Sequence, residues 1–548
     1  MINGTIFQCF HRYTAADSRL WMQLAQRADD LAKAGFTAVW LPPMTKSSGG
    51  SSDLGYSAYD LYDLGEFNQC GSVATGYGTR TQLLAAIARL QSVGLQVYGD
   101  VVLHRKHGGD RPEAVQATPV SWQQRQRDVG PPQSVYTHSG FTFPGRGDRY
   151  NAMTWNHEHF QLINHTCGAP DNAINSQGTK QRCVQHKEMA AEKEVRHQYG
   201  LYRIKPASSS AMSVDVRFGT LRDHQQHSHR HHSQPSHSQQ SYSSNLSGEL
   251  VCELDLAMPE VAQAIEDWGR WLLKTTGING LRIDSAKYVP AGFLQNWLVQ
   301  LRVAHRSLGL SSAADESSLF MMGDYWSDQM NDLRWYIAQT GGQLSLFDVP
   351  LHYHFHRASR QGDYYDLRTL LTGTLVKQQP ALAVTFVENH NSQPKQLLSS
   401  PVEEWFKPLA YALILLRQEG YPCVFAADYY GVDCAEAGWL PSHRWLIEKL
   451  MWVRQHLAYG PQQDYFERPN LIGWTRLGDE RHSQAIAVLI SNGSSGQQWM
   501  KIGKPNRTFT DITQNVGETI RTNEAGWGHF SCGPRSVSVW VEKEKVSP

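Results

Sequence analysis

TRTQLLAAIARLQSVGLQVYGDVVL (79–103) holds one complete repeat of the fold. Leu83, Leu84, Ile87 and Leu90 recur at three-to-four spacing, which predicts an amphipathic helix, and Gly94 stands where a helix C-cap belongs. The next nine residues, Leu95 to Leu103, are mostly apolar, as in a strand buried on both faces. The same strand-like run recurs as TIFQCF (5–10), AVWLPP (38–43), GLRID (280–284), LFMMGDYW (319–326), LSLFDVPL (344–351), LAVTFVENH (382–390) and PCVFAADYY (422–430). Helical patterns such as RLWMQLAQRADDLAKAG (19–35), VAQAIEDWGRWLLKTTG (261–277), FLQNWLVQLRVAH (293–305) and EEWFKPLAYALILLRQEG (403–420) lie between most of them. Eight strands alternating with helices predict a parallel (β/α)8 TIM barrel of class α/β.

The alternation breaks after the third strand. Residues 104–255 are rich in His, Gln, Ser, Gly and Pro, and a stretch that long is an inserted irregular or β domain rather than a loop. Inside it, DHQQHSHRHHSQPSHSQQSYSSN (223–245) is of low complexity; its histidines lack regular ligand spacing and read as a disordered, solvated insertion. After residue 455 short alternating strands separated by Gly, Asn and Ser predict a C-terminal antiparallel β-domain (456–548). The barrel itself is expected over 1–103 and 256–455.

The 51 basic and 51 acidic residues cancel, which argues against nucleic acid or an anionic membrane as partner. No apolar run is long enough to span a bilayer. Seventeen Trp and 23 Tyr suit stacking on sugars, and equally suit the core of a large protein. Of eight cysteines, Cys9 and Cys423 fall in apolar runs and read as buried thiols, whereas Cys167 and Cys183 leave a local bridge open. MINGTIFQCF (1–10) has no charged segment followed by a long apolar one, so a cytoplasmic protein is expected if this start is intact, and a secreted one if it is a processed form.

In such a barrel the active site lies at the C-terminal strand ends. Those ends carry Asp100, His104 and Arg105; Arg282, Asp284 and Lys287; Asp324 and Trp326; and Glu388, Asn389, His390 and Asn391, with Tyr56 in the loop after the second strand. Carboxylates, Arg and His converging from four strands form a hydrolase-like set.

The segments DLGYSAYDLYDLGEFNQ (53–69), GDVVLHRK (99–106), FPGRG (143–147), GLRIDSAKY (280–288), MGDYWSD (322–328), LFDVPLHYHFH (346–356), FVENHNSQP (386–394) and WFKPLAYA (405–412) resemble, in order, those of the bacterial liquefying-type α-amylases. The resemblance implies a retaining double displacement on α-1,4-glucans such as starch, glycogen or maltooligosaccharides, with a carboxylate nucleophile and a carboxylic acid that protonates the leaving oxygen. Asp284 matches the nucleophile and Arg282 the residue that orients it. Asp324 stands at the acid/base position, where the family has Glu, and Asn391 at the third carboxylate, where it has Asp. His390 matches a sugar-hydroxyl ligand and Tyr56 a stacking platform; Lys287 and Trp326 fall at flanking subsites. The family's Asn-His is His104–Arg105 here, and its His is Tyr288.

These departures weaken the expected chemistry. Asp324 is one methylene short, and a catalytic group displaced by an ångström costs ~10²-fold. Asn391 carries no charge to favour an oxocarbenium-like state. Arg105 is expected to pair with Asp284 or Asp324, which would block the pocket or depress a carboxylate pKa. Glu388, three residues from Asn391 on a strand, faces the other way. The family's structural calcium, between barrel and insertion, would fall to His104, Glu253 and the carbonyl of Tyr288; His104 is a poor ligand for a hard cation, so calcium is expected to bind weakly or not at all. A glucan-binding protein with impaired hydrolysis is the favoured expectation. An active amylase using Asp284 and Asp324 is the second, and an interaction module using the His-rich insertion the third.

Overall fold

The computed structural model describes residues 3–122, 124–164, 200–204, 251–310, 319–434 and 438–543. Eight strands close a parallel barrel: β1 (Ile6–Gln8), β2 (Ala38–Leu41), β3 (Gln96–Val101), β4 (Gly280–Ile283), β5 (Phe320–Gly323), β6 (Ser345–Phe347), β7 (Ala383–Phe386) and β8 (Tyr421–Phe425). Each pairs only with its neighbours in chain order, and β8 closes on β1 through Ile6 opposite Cys423. The strands are buried almost throughout because helices cover their outer face and side chains fill the inside.

Helix Arg80–Ser92 shows how the repeat forms. Thr79 and Gln82 make a reciprocal capping box at its start. Leu83, Ala86, Ile87 and Leu90 are buried on one face, and Gly94 follows with φ of 86°. Helix Pro259–Thr276 ends the same way, on Gly277 with φ of 64°. Two apolar runs stop being strands earlier than their composition suggests. After Phe347 the carboxylate of Asp348 accepts from the Leu351 amide, 3.1 Å, and starts helix Val349–Gln361. After Phe425 the chain turns into helix Ala426–Tyr430. At the first of these boundaries a side-chain cap, not hydropathy, ends the strand.

The insertion after β3 forms a six-stranded sheet in the order 105–107, 251–254, 160–163, 201–203, 111–120, 133–140, in which every pairing is antiparallel. The low-complexity run 223–245, with Cys167 and Cys183, lies outside the described residues. Beyond the barrel, strands 462–468, 471–476, 486–491, 537–542, 508–511 and 519–521 form a second antiparallel sheet, accompanied by a two-stranded antiparallel sheet of 496–501 with 527–532. It has a core of its own around Phe509, Phe530 and Trp540. Among the described residues no helix is long and apolar enough to cross a membrane. The six described cysteines, including Cys9 and Cys423, are free thiols.

Candidate active site

The floor of the barrel mouth is one guanidinium among three carboxylates. Arg282 on β4 pairs in register with Asp100 on β3. Its Nη1 donates to both oxygens of Asp100, 2.8 and 3.0 Å, and to Asp284 at 2.8 Å, while Nη2 donates to Asp324. All four side chains are buried. Arg282 and Asp284 are two residues apart, so the strand pleat turns both inward. The Trp40 ring lies 5.1 Å from the guanidinium carbon, and its indole N–H donates to Asp100 at 3.2 Å.

Burial sets the charges, and the arginines correct it. Burial pushes Asp100 up to about 7 against the pull of Arg282. Asp284 is also pushed up by burial, but Arg282, Arg105 and His104 outweigh that and leave it below the ordinary carboxylate range. Asp284 is therefore ionised, as a nucleophile must be. Asp324 stays raised, because burial and the nearby Asp284 exceed what Arg282 returns.

Asp324 and Asn391 are tied down. The Oδ2 of Asp324 accepts from Arg282 and also from Asn391 Nδ2 at 3.0 Å, whereas its Oδ1 is buried with no protein partner. The Asn391 carbonyl faces Arg12 Nη2 at 3.4 Å, and its backbone N–H donates to Asn389 at 2.8 Å. The short carboxylate at 324 thus rests on the barrel floor.

Tyr56 and His390 stack on each other, rings 5.2 Å apart and 11° from parallel. Gln8 donates to His390 Nδ1 at 3.0 Å, which leaves the proton on Nε2 to face the Tyr56 hydroxyl at 3.0 Å; that hydroxyl donates to Asp100 at 2.9 Å. Both ring nitrogens of His390 are therefore engaged inside the protein. Burial and the nearby arginines hold the ring neutral, well below its ordinary pKa. The guanidinium of Arg12 lies 4.4 Å from the Tyr56 ring centroid. A cation thus lies against the ring that the resemblance assigns to sugar stacking.

Arg105 extends toward Asp284, with Nη2 3.9 Å from Oδ2. Of the two expected pairings the one with Asp284 forms, and Arg105 helps to lower that carboxylate; Asp324 is instead raised, by burial and by the nearby Asp284. Lys287 lies over the Tyr288 ring, 5.2 Å from its centroid. Trp326 donates its indole N–H to Tyr353 at 3.1 Å and packs on His352 and Phe386, so half of it belongs to the wall of the barrel. Glu388 faces away: it accepts from the Val402 amide at 2.6 Å and lies 3.7 Å from Lys407.

The positions to which the resemblance assigns calcium do not fit that ion. His104 is buried, its pKa pushed down to about 3, and its ring stacks on Tyr288 at 5.6 Å. Glu253 already gives both oxygens to Arg125 Nη1, 2.7 Å each. Calcium asks for six to eight oxygens; among the described residues the Glu253 oxygens are engaged by Arg125 and a nitrogen ring stands at 104.

Arg12, Gln8 and Arg125 escaped the sequence reading. Gln8 ends β1 and Arg12 follows it, at a strand end that the barrel geometry names as surely as the other seven; QCFHRY (8–13) is the available signal. Arg125 comes from a hairpin loop, and no periodicity points from it to Glu253.

The described features agree with comparisons across known proteins. An "Alpha-amylase C-terminal" family model matches residues 486–541. The chain is 38% identical to an alpha-amylase of Geobacillus stearothermophilus over 99% of its own length and 87% of that protein's. It is 36% identical to the glucan 1,4-alpha-maltohexaosidase of Bacillus sp. (strain 707), covering 99% and 93%, and 34% identical to the cytoplasmic alpha-amylase of Escherichia coli over the whole of both. Among solved structures, the alpha-amylase of Geobacillus thermoleovorans in complex with acarbose superposes with a TM-score of 0.58 at 15% identity, covering 99% of each chain, a likeness of fold. With the closed barrel, the C-terminal sheet and full-length identities above one third, the chain belongs to the alpha-amylase family of glycoside hydrolases.

Proposed function

We propose that this protein binds α-1,4-glucans in the barrel cleft and hydrolyses them weakly or not at all. The observation that carries the reading is the position of Asp324, held by Arg282 and Asn391 on the barrel floor. A general acid must reach the leaving oxygen, and its loss costs roughly 10²–10⁴-fold in rate. Three further features support it. Arg12 covers Tyr56, Arg105 faces the approach to Asp284, and Asn391 supplies no charge to the transition state. The glucan is supported by the relatives, which are named alpha-amylases and a maltohexaosidase. Barrel (1–103, 256–455), inserted domain (104–255) and C-terminal domain (456–548) are read as the family's three parts.

A second reading has one specific observation behind it. Asp284 is ionised while Asp324 is raised, the division of labour a retaining glycosidase needs. In that case Asp284 attacks the anomeric carbon, Asp324 protonates the departing oxygen, and water then cleaves the glycosyl ester. The cytoplasmic name of the Escherichia coli relative, with free thiols at the six described cysteines, supports an intracellular setting over a secreted one.

The deciding experiment measures reducing-sugar release from soluble starch and maltooligosaccharide binding by calorimetry, for the protein and for Asp284→Asn. Binding without release, unchanged by the substitution, is the expected result. Substantial release abolished by Asp284→Asn would establish the active enzyme and overturn the proposal, as would absence of any glucan binding.

A further inference from the structure

The junction between barrel and inserted sheet holds a cation of the protein's own. Arg125 lies in the loop between the paired strands 111–120 and 133–140. The loop folds back on itself, Ser121 N–H donating to the Arg127 carbonyl at 2.9 Å and Arg127 N–H to Gln124 at 2.8 Å. This fold carries the guanidinium inward, where its Nη1 meets both oxygens of Glu253 at 2.7 Å. Its carbon lies 4.6 Å from the centroid of the Tyr288 ring. Tyr288 stacks in turn on His104, at 27° between planes.

Four chain segments meet there. His104 follows β3, Glu253 belongs to strand 251–254 that leads back to the barrel, Tyr288 follows β4, and Arg125 comes from the far hairpin. The backbone closes the same joint: Glu253 pairs with Arg105, and Leu254 N–H donates to the His104 carbonyl at 2.9 Å. A charged hydrogen bond to both carboxylate oxygens and a cation over an aromatic face are contacts that a guanidinium makes well. The side chains of Glu253 and Arg125 keep only 12% and 21% of their surface exposed, so solvent screens the pair incompletely.

We propose that Arg125 is a built-in cation that fastens the inserted sheet to the barrel in place of a metal, so that this junction is held without calcium. A divalent ion at Glu253 would have to displace the guanidinium and lose its contact with Tyr288. Among the described residues it would gain in exchange one carboxylate, a histidine ring and the Tyr288 carbonyl.

The test is thermal unfolding of the full-length protein, followed by circular dichroism, in chelator and in millimolar calcium. The expected melting temperature is the same in both. A rise with calcium that chelator reverses would overturn the proposal. Arg125→Met is expected to lower the melting temperature by several degrees, because it strands a largely buried carboxylate. Adding Glu253→Gln to that variant should restore part of the loss, since no stranded charge then remains. Arg125→Met melting like the parent protein would also overturn the proposal. Should Arg125→Met fail to fold, Glu253→Gln alone decides: a lowered melting temperature supports the junction and an unchanged one refutes it.

Discussion

Two largely buried clusters in this barrel have the same inventory, one cation against three carboxylates, although Glu404 of the second reaches solvent. At the mouth, Arg282 faces Asp100, Asp284 and Asp324. Behind β7 and β8, Lys407 lies 2.7 Å from Asp428, 2.8 Å from Glu404 and 3.7 Å from Glu388. The second is closed. Tyr411 donates to Asp428 at 2.6 Å, the Val402 amide to Glu388 at 2.6 Å, and His443 reaches Glu404 at 2.6 Å. The first leaves Arg282 Nε and Asp324 Oδ1 buried without a partner. An unmade hydrogen bond of that kind costs about 1–3 kcal/mol. A cluster whose bonds all end within the protein holds the fold together. The first lies at the barrel mouth, where the proposed function places a glucan.

Substitution separates the two most sharply. Lys407→Met should cost about 3–5 kcal/mol, because it leaves Asp428 and Glu388 buried without their cation. Asp324→Asn should change stability by less than about 1 kcal/mol, since Arg282 keeps two carboxylates and Asp284 loses a like-charged neighbour. Urea unfolding followed by tryptophan fluorescence measures both. Equal losses would break the comparison.

The mouth can also be tested by repairing it. Asp324→Glu returns the missing methylene, and Asn391→Asp returns a charge. The structure adds a condition that the sequence did not show: an Asp at 391 would face Arg12, which now meets the Asn391 carbonyl at 3.4 Å. The double variant should raise starch hydrolysis by at least ~10-fold, part of the range general acid catalysis supplies. Adding Arg12→Ala should raise it further by baring Tyr56. A triple variant no faster than the parent would place the larger defect at Arg105.

That condition marks how far sequence reasoning reaches. The barrel was legible because apolar runs are a direct record of burial on both faces, as at Leu95–Leu103. Arg282 and Asp284 were legible because two residues apart on a strand means one face. The register that brings Asp100 beneath Arg282, and the reach of Arg12 across to Tyr56, depend on how β1, β3 and β4 close around one axis. No local pattern encodes that closure. The same holds for Arg125, whose partner Glu253 is 128 positions away. In the insertion the antiparallel strands were hidden, because proline and charge in RPEAVQATPV (111–120) blur the alternation.

The smallest difference between the clusters is in their protons. Burial holds Asp100 up to about 7, with Tyr56, Arg282 and Asp284 facing it, and Glu388 up to about 8, with Lys407, Asp428 and Glu404 facing it. Unfolded, the two carboxyls titrate near ~3.9 and ~4.3. Between those values and the folded ones the native state binds more protons than the unfolded chain, so each group's contribution is full at low pH and is lost as pH rises through its folded pKa. Melting temperature followed across that range should therefore fall more gently in Asp100→Asn up to about pH 7, and in Glu388→Gln up to about pH 8. The slope is the readout, because each amide also shifts the baseline through the donors it leaves unmatched. A slope that neither substitution alters would mean that both carboxylates are ionised in the folded protein, and that Arg282 and Lys407 hold their partners equally.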